Sequence, residues 1–201
     1  MGLTKNERKT FLSINGNGKI AQSLKQSEPG CVERKLDNGR IVYQMEHDGL
    51  EGKITGMNFH EHPEWGNFLY VTVDNEFLLQ LKCGSKYYYS FCYALPNVDL
   101  SKNVKLSPWR KEVDGKVKAA LYINQGGDKS VEWFFSKDKP NGLPEMEKKK
   151  VKGKEVWDDT DRQEFLENYL KENIFPKLGA ATPVSTESVD DVEGGDDEAP
   201  F

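Results

Sequence analysis

Five aromatic rings stand among lysines and arginines in the middle of this 201-residue chain. They are Tyr70, Tyr89, Trp109, Tyr122 and Trp133. The cations interleaved with them are Lys53, Lys82, Lys86, Lys105, Arg110, Lys111 and Lys118. Rings of this kind offer π-faces on which unpaired bases of any sequence can stack, and neighbouring cations neutralise phosphate. Each ring taken alone is at least as readily a core residue; the collection carries the inference of single-stranded nucleic-acid binding. Catalysis has no comparable signal. No local motif announces a nucleophile, base and acid acting together, and only three His and three Cys are available for such work. The chain reads as a non-enzyme without a cofactor. His60-x-His62, with Glu61 and Glu64, is the one local metal-like cluster. A zinc site needs further matched ligands, and polar turn residues beside Pro63 explain the cluster without a metal, so none is expected. Gly16 and Gly18 lack the Gly-Lys-Ser/Thr element of a phosphate loop and read as a hairpin turn.

The elements that must position these residues lie at 50–135. Strand-length pieces rich in Val, Ile, Tyr, Phe and Trp run over 50–60, 68–74, 76–82, 103–109, 115–125 and 131–135. The tyrosine-rich stretch 85–99 reads as a short inserted helix ended by Pro96. In 68–74, Leu69, Val71 and Val73 form the uniformly apolar face, which leaves Phe68 and Tyr70 on the other. This pattern predicts a mainly β fold, an OB-like five-stranded barrel with one inserted short helix. Two N-terminal hairpins are added, at 11–24 and 31–47, the second turning at Asp37-Asn38-Gly39. Residues 136–154 are lysine-rich and, with Pro140, Asn141-Gly142 and Pro144, read as an irregular connection. One C-terminal helix is expected over 158–175, with Phe165, Leu166, Tyr169 and Leu170 on its apolar stripe and Pro176 beyond its end.

Charge divides the chain. Residues 1–157 hold 25 basic and 20 acidic side chains, a net charge of +5, whereas 179–201 hold seven acidic residues and no Lys or Arg. The acidic segment is too polar to offset its ordering entropy and is expected to be disordered. The expected organisation is therefore a binding domain at 1–178 and an acidic tail at 179–201. The overall charge of −5 does not exclude a polyanion-binding body. Cys31, Cys83 and Cys92 are an odd set without tight spacing, which fits a reducing cytoplasm. No apolar leader or membrane-length apolar run is present, so no membrane role is expected.

The tail ends Asp196-Asp197-Glu198-Ala199-Pro200-Phe201. With the β-rich body, this tip resembles the replication-type single-stranded-DNA-binding proteins, in which an OB-fold is followed by a flexible acidic tail with an Asp-rich, Pro-Phe tip. The likeness is sharpest at the tip; in the body it rests on strand count, insert position and aromatic-basic composition. The Gly- and Gln-rich linker of bacterial members is missing, and the N-terminal hairpins are additional, which favours a bacteriophage-encoded member. The resemblance implies sequence-independent coating of single-stranded DNA during DNA replication, recombination or repair, in the host cytoplasm. It implies recruitment of DNA polymerase or other replication proteins through Asp196, Asp197, Glu198, Pro200 and Phe201, and a monomer or dimer as the working unit. A β-rich interaction or structural protein and an RNA-binding protein are the alternatives.

Overall fold

A single bent strand joins the two main sheets. In the computed structural model, which describes residues 9–36, 39–151 and 154–178, the chain runs extended from Leu50 to His62 with one break at Lys53. The pieces are β5 (Leu50–Gly52) and β6 (Ile54–His62). The bend is braced from the side. The Lys53 amide donates to Asp74 Oδ1 at 2.8 Å, and the Asp74 amide donates to the Lys53 carbonyl at 2.9 Å. Gly52 has φ of +157°, and a Cβ there would run into the Asp74 and Val73 side chains. Only glycine lets the bend close this tightly.

On one side of the bend, β6 pairs with β7 (Gly66–Val73), and β7 with β8 (Phe77–Lys82), all antiparallel. The N-terminal hairpins extend this sheet. Strand β1 (Thr10–Ile14) lies parallel to β8 and antiparallel to β2 (Ile20–Leu24). Beyond them come β4 (Ile41–His47) and β3 (Val32–Lys35), giving a seven-stranded order β3-β4-β2-β1-β8-β7-β6. Asn15 fixes the first turn, its side-chain oxygen accepting from the Asn17 and Lys19 amides while its Nδ2 donates to Glu46.

On the other side of the bend, β5 pairs with β9 (Val104–Val113), which pairs along its whole length with β10 (Lys116–Asn124). Asp114 and Gly115, both at positive φ, make the two-residue turn between them. Pro108 does not end β9. It lies beyond the residues that β5 covers, where the strand has one partner edge free.

Helix α1 (Lys86–Ala94) starts at Ser85, whose hydroxyl accepts from the Tyr88 amide, and runs into a 3-10 turn at Leu95–Asn97 that contains Pro96. Helix α2 (Thr160–Asn173) buries Leu166 and Leu170, with Ile174 after them. Both helices and both sheets share one core, in which Leu69, Leu79, Phe91, Leu106, Leu121 and Phe135 are fully buried. Among the described residues no helix is long and apolar enough to cross a membrane.

The chain is thus mainly β, but three expectations change. The five central strands do not close into a hydrogen-bonded barrel among the described residues. Closure would require the end strands β8 and β10 to meet. Instead β8 pairs with β1, and the free edge of β10 is taken by α1. The Leu121 amide donates to Ser90 Oγ at 2.7 Å, and Lys86 Nζ donates to the Val117 carbonyl. Second, 131–135 is not a strand: the Val131 amide still donates to the Ile123 carbonyl of β10, but the chain then turns away and the Phe134 amide donates to the Tyr93 carbonyl at the end of α1. Third, the lysine-rich connection is not wholly irregular. Strands β11 (Glu147–Val151) and β12 (Lys154–Asp158) pair as a separate two-stranded ribbon. The expected disorder of 179–201 lies outside the described residues.

Ser90 Oγ also donates to the Lys86 carbonyl at 2.9 Å, and the residue is buried. Ser90→Ala leaves the Leu121 amide without its partner inside the core, so stability should fall by about 1–3 kcal/mol. Urea unfolding should show this as a lower midpoint at unchanged slope.

Candidate nucleic-acid interface

The β9–β10 hairpin gathers five of the twelve candidate residues on one face. Successive side chains of a strand alternate between faces, and directly paired residues share one. The register pairs Lys111 with Lys118, Trp109 with Ala120, Ser107 with Tyr122 and Lys105 with Asn124. Lys105, Trp109, Lys111, Lys118 and Tyr122 therefore project together, away from Leu106, Leu121 and Ile123, which are fully buried on the opposite face. Trp109 is 40% exposed. Lys111 and Lys118 are exposed and directly opposed. Like charges in opposed positions destabilise a strand pair, and an anion seated between them would relieve the repulsion. Lys105 stands opposite Glu51 and in the field of Asp48, so it contributes less net charge.

The remaining candidates separate from this face. Arg110 alternates to the other side of β9. There the β1–β2 turn approaches so closely that a Cβ on Gly18, at φ +72°, would lie 2.6 Å from Arg110 Cβ. Tyr70 is only 4% exposed. The alternation in β7 placed Phe68 and Tyr70 on an open face, but both are buried in a small second cluster with Leu78, against which Phe11 and Trp65 pack. Gln80 Nε2 donates to the Tyr70 hydroxyl at 3.3 Å, and the His60 ring lies 5.8 Å from the Tyr70 ring. Lys82 is exposed on the same face as Tyr70, opposite Phe68. Phe11, His60 and Trp65 are thus part of this aromatic floor and were not among the sequence candidates. The signal for them was the aromatic alternation of β7; Trp65 comes from the turn just before β7 and His60 from the neighbouring β6, whereas Phe11 comes from β1, far away in the chain.

Lys86 and Tyr89 belong to packing rather than to an open surface. Lys86 anchors α1 to β10. The Tyr89 hydroxyl donates to Asp159 Oδ2 at the start of α2, and its ring stacks on Tyr93 at 5.8 Å. Burial, and then the Asp159 carboxylate beside it, push the Tyr89 phenol above its ordinary range. Trp133 is 43% exposed and packs edge-on against Tyr93 at 5.7 Å, on the α1–α2 side of the molecule. Lys53 lies at the bend, lining an open cleft of about 630 Å³ with Asn75, Asp99, Ser101 and Lys177.

His60 and His62 share a face of β6, but His62 Nδ1 accepts from the Glu64 amide at 3.2 Å. Among the described residues no group of three or more His, Cys, Asp and Glu side chains is placed to hold a metal ion. The partner-binding tip, Asp196, Asp197, Glu198, Pro200 and Phe201, lies outside the described residues. Compared with known protein families, curated proteins and solved structures, the chain matches none of them.

The cysteines differ in burial: Cys92 is buried, whereas Cys31 and Cys83 are partly exposed. Cys92 is fully buried, and burial raises its thiol well above the ordinary value. Burial also pushes the Cys83 thiol up to about 12, with the Glu167 carboxylate adding to the rise. The thiolate is the reactive form. A disulfide reagent at pH 8 should therefore modify Cys31 first and alone in the folded protein. Release of all three thiols should follow only on denaturation, as read by absorbance of the displaced group.

Proposed function

We propose that this chain binds single-stranded DNA without sequence preference and protects it during replication, recombination or repair. The observation that carries the reading is the β9–β10 face: an exposed indole beside two directly opposed lysines, with Tyr122 and Lys105 on the same side. Stacking is worth roughly 1–3 kcal/mol per base and tolerates any base. Opposed cations are unfavourable alone and favourable around a phosphate. The burial of Tyr70 and the packing of half-buried Tyr89 fit a β-rich interaction protein equally well, so the hairpin face, and not the full set of rings, supports binding.

The proposal extends to the architecture. The run β5/β6, β7, β8, α1, β9, β10 is read as an OB-like barrel whose closing contact has been replaced by β1 on one edge and α1 on the other. In an OB-fold, the face of the second and third strands and two flanking loops hold the oligonucleotide. Here these correspond to β7–β8, the turn at 62–66 and the turn at 113–116. The aromatic floor of Phe11, His60, Trp65 and Tyr70 falls on that face, with Lys82 beside it. By the resemblance of its tip, the acidic tail would recruit polymerase or other replication proteins and compete with DNA for the basic face. A bacteriophage origin, action in the host cytoplasm and a monomeric or dimeric unit belong to the same reading.

Fluorescence anisotropy with labelled oligo-dT at two salt concentrations tests it. Wild type should bind in the submicromolar range and weaken as salt rises. Trp109→Ala should raise Kd about fivefold or more. Lys111→Ala with Lys118→Ala should flatten the salt dependence by about 0.7 per lost phosphate contact. Removal of residues 179–201 should tighten binding. An oligo-rU competitor separates DNA from RNA preference. Absence of binding by both full-length and shortened chains would move the weight to the interaction protein.

A further inference from the structure

No described side chain of the β11–β12 ribbon is buried. Between Phe135 and Leu166 no described side chain is buried. The ribbon pairs only with itself, and an isolated two-stranded hairpin is marginal in water. What holds it is local. The register sets Lys148 opposite Trp157 and Lys150 opposite Glu155. The Lys148 ammonium lies 5.1 Å from the centre of the Trp157 ring and 3.2 Å from Glu155, and on the other face Lys149 pairs with Asp158.

The base of the ribbon, by contrast, is clamped. Arg162 Nε donates to the Pro144 carbonyl at 2.9 Å where the chain enters. Where it leaves, Asp159 takes the Tyr89 hydroxyl, and its carbonyl accepts from the Gln163 amide at 2.9 Å. A fixed base and a self-paired stem describe an arm. Its sequence from 147 to 158 holds five lysines against three acidic residues. Trp157 is 45% exposed on the face that carries Lys148 and Lys150.

An exposed indole with two lysines on its own face repeats the chemistry of the β9–β10 hairpin on a separate element. The geometry points to a second single-strand contact. Trp157 stacks one base, and Lys148 and Lys150 hold the flanking phosphates. The exposed Trp133 lies near the ribbon's base, linked to it through Tyr93 and Arg162, whose Nη1 donates to the Tyr93 hydroxyl at 3.2 Å. This inference rests on the chain being a single-strand binder. It adds that, since α1 touches both elements through Lys86 on β10 and Tyr89 on Asp159 at the ribbon's base, engaging both contacts takes a longer strand than engaging the hairpin face alone.

The full-length chain is titrated with labelled dT10 and dT35, as wild type, Trp157→Ala, Trp157→Phe and Lys148→Ala/Lys150→Ala. Trp157→Ala and the double lysine variant should each weaken dT35 binding about fivefold or more. They should leave dT10, held by the hairpin face, within about twofold. Trp157→Phe, which keeps a ring and the ribbon, should retain most of the dT35 affinity. Equal dT35 affinity in wild type and all variants overturns the arm as a DNA contact while leaving the proposed function standing. Equal weakening for both oligonucleotides overturns it as well, since it reports a change in the body. Failure of wild type itself to bind removes the underlying reading and this inference with it.

Discussion

The outer edge of β10 decides how the rest of the molecule is arranged. A strand edge presents amides and carbonyls that must be paired or covered. Here the cover is a helix. Ser90 takes the Leu121 amide, Lys86 reaches the Val117 carbonyl, and the Val131 amide donates to Ile123 at 2.7 Å further along. With α1 held against this edge, β10 cannot meet β8, and the barrel stays open. β8 finds its second partner in β1, so the N-terminal hairpin becomes part of the sheet. Its turn then reaches β9 through Gly18 and Arg110, joining the two sheets by packing where strand pairing would otherwise do it.

The same helix sorts the aromatic residues. Its inner side sends Tyr88, Phe91 and Cys92 into the core, and its outer side stacks Tyr89 on Tyr93. α2 covers that pair by way of Asp159 and Arg162. Rings on this side therefore become part of a two-helix layer, and Trp133 survives only at its margin. The β9–β10 hairpin turns its second face away from Leu106, Leu121 and Ile123, with Ala120 buried beside Trp109 on it. Trp109 stays half in water because the layer that claims the tyrosines lies along the strand edge and not over that face.

Much of the fold was legible because its signals are local. Both N-terminal hairpins announce themselves by Asn-Gly or Asp-Asn-Gly turns between β-rich runs. α1 is bounded by Ser85 and Pro96, and α2 by its apolar stripe and Pro176. The failures share a cause of another kind. Nothing local in 131–135 shows that only the Val131 amide will meet a strand while the Phe134 and Phe135 amides turn to Tyr93. Nothing local shows that Phe11, from β1, will pack against Tyr70. The register of β9 against β10 could be read from the turn at Asp114-Gly115, and with it the shared face of Trp109, Lys111 and Lys118. The ribbon was hidden because Pro140, Asn141-Gly142 and Pro144 do break regular structure; the strands begin only after them, at Glu147.

Charge patterning accounts for what the tertiary contacts leave open. Three indoles stand about two-fifths exposed: Trp109, Trp133 and Trp157. Exposure of a single apolar side chain is ordinary and carries no message by itself. The neighbours make the difference. Trp133 borders a helix layer, edge-on to Tyr93. Trp109 lies next to an opposed lysine pair, and Trp157 lies under a lysine with another on the same face. On the hairpin the chain places positive charge where strand pairing gains nothing from it; on the ribbon Lys148 also braces the pair through Trp157 and Glu155, and in both cases the ring is one that the core does not use. Under the proposed function, these two combinations would be two contacts on one extended polyanion carrying stackable groups.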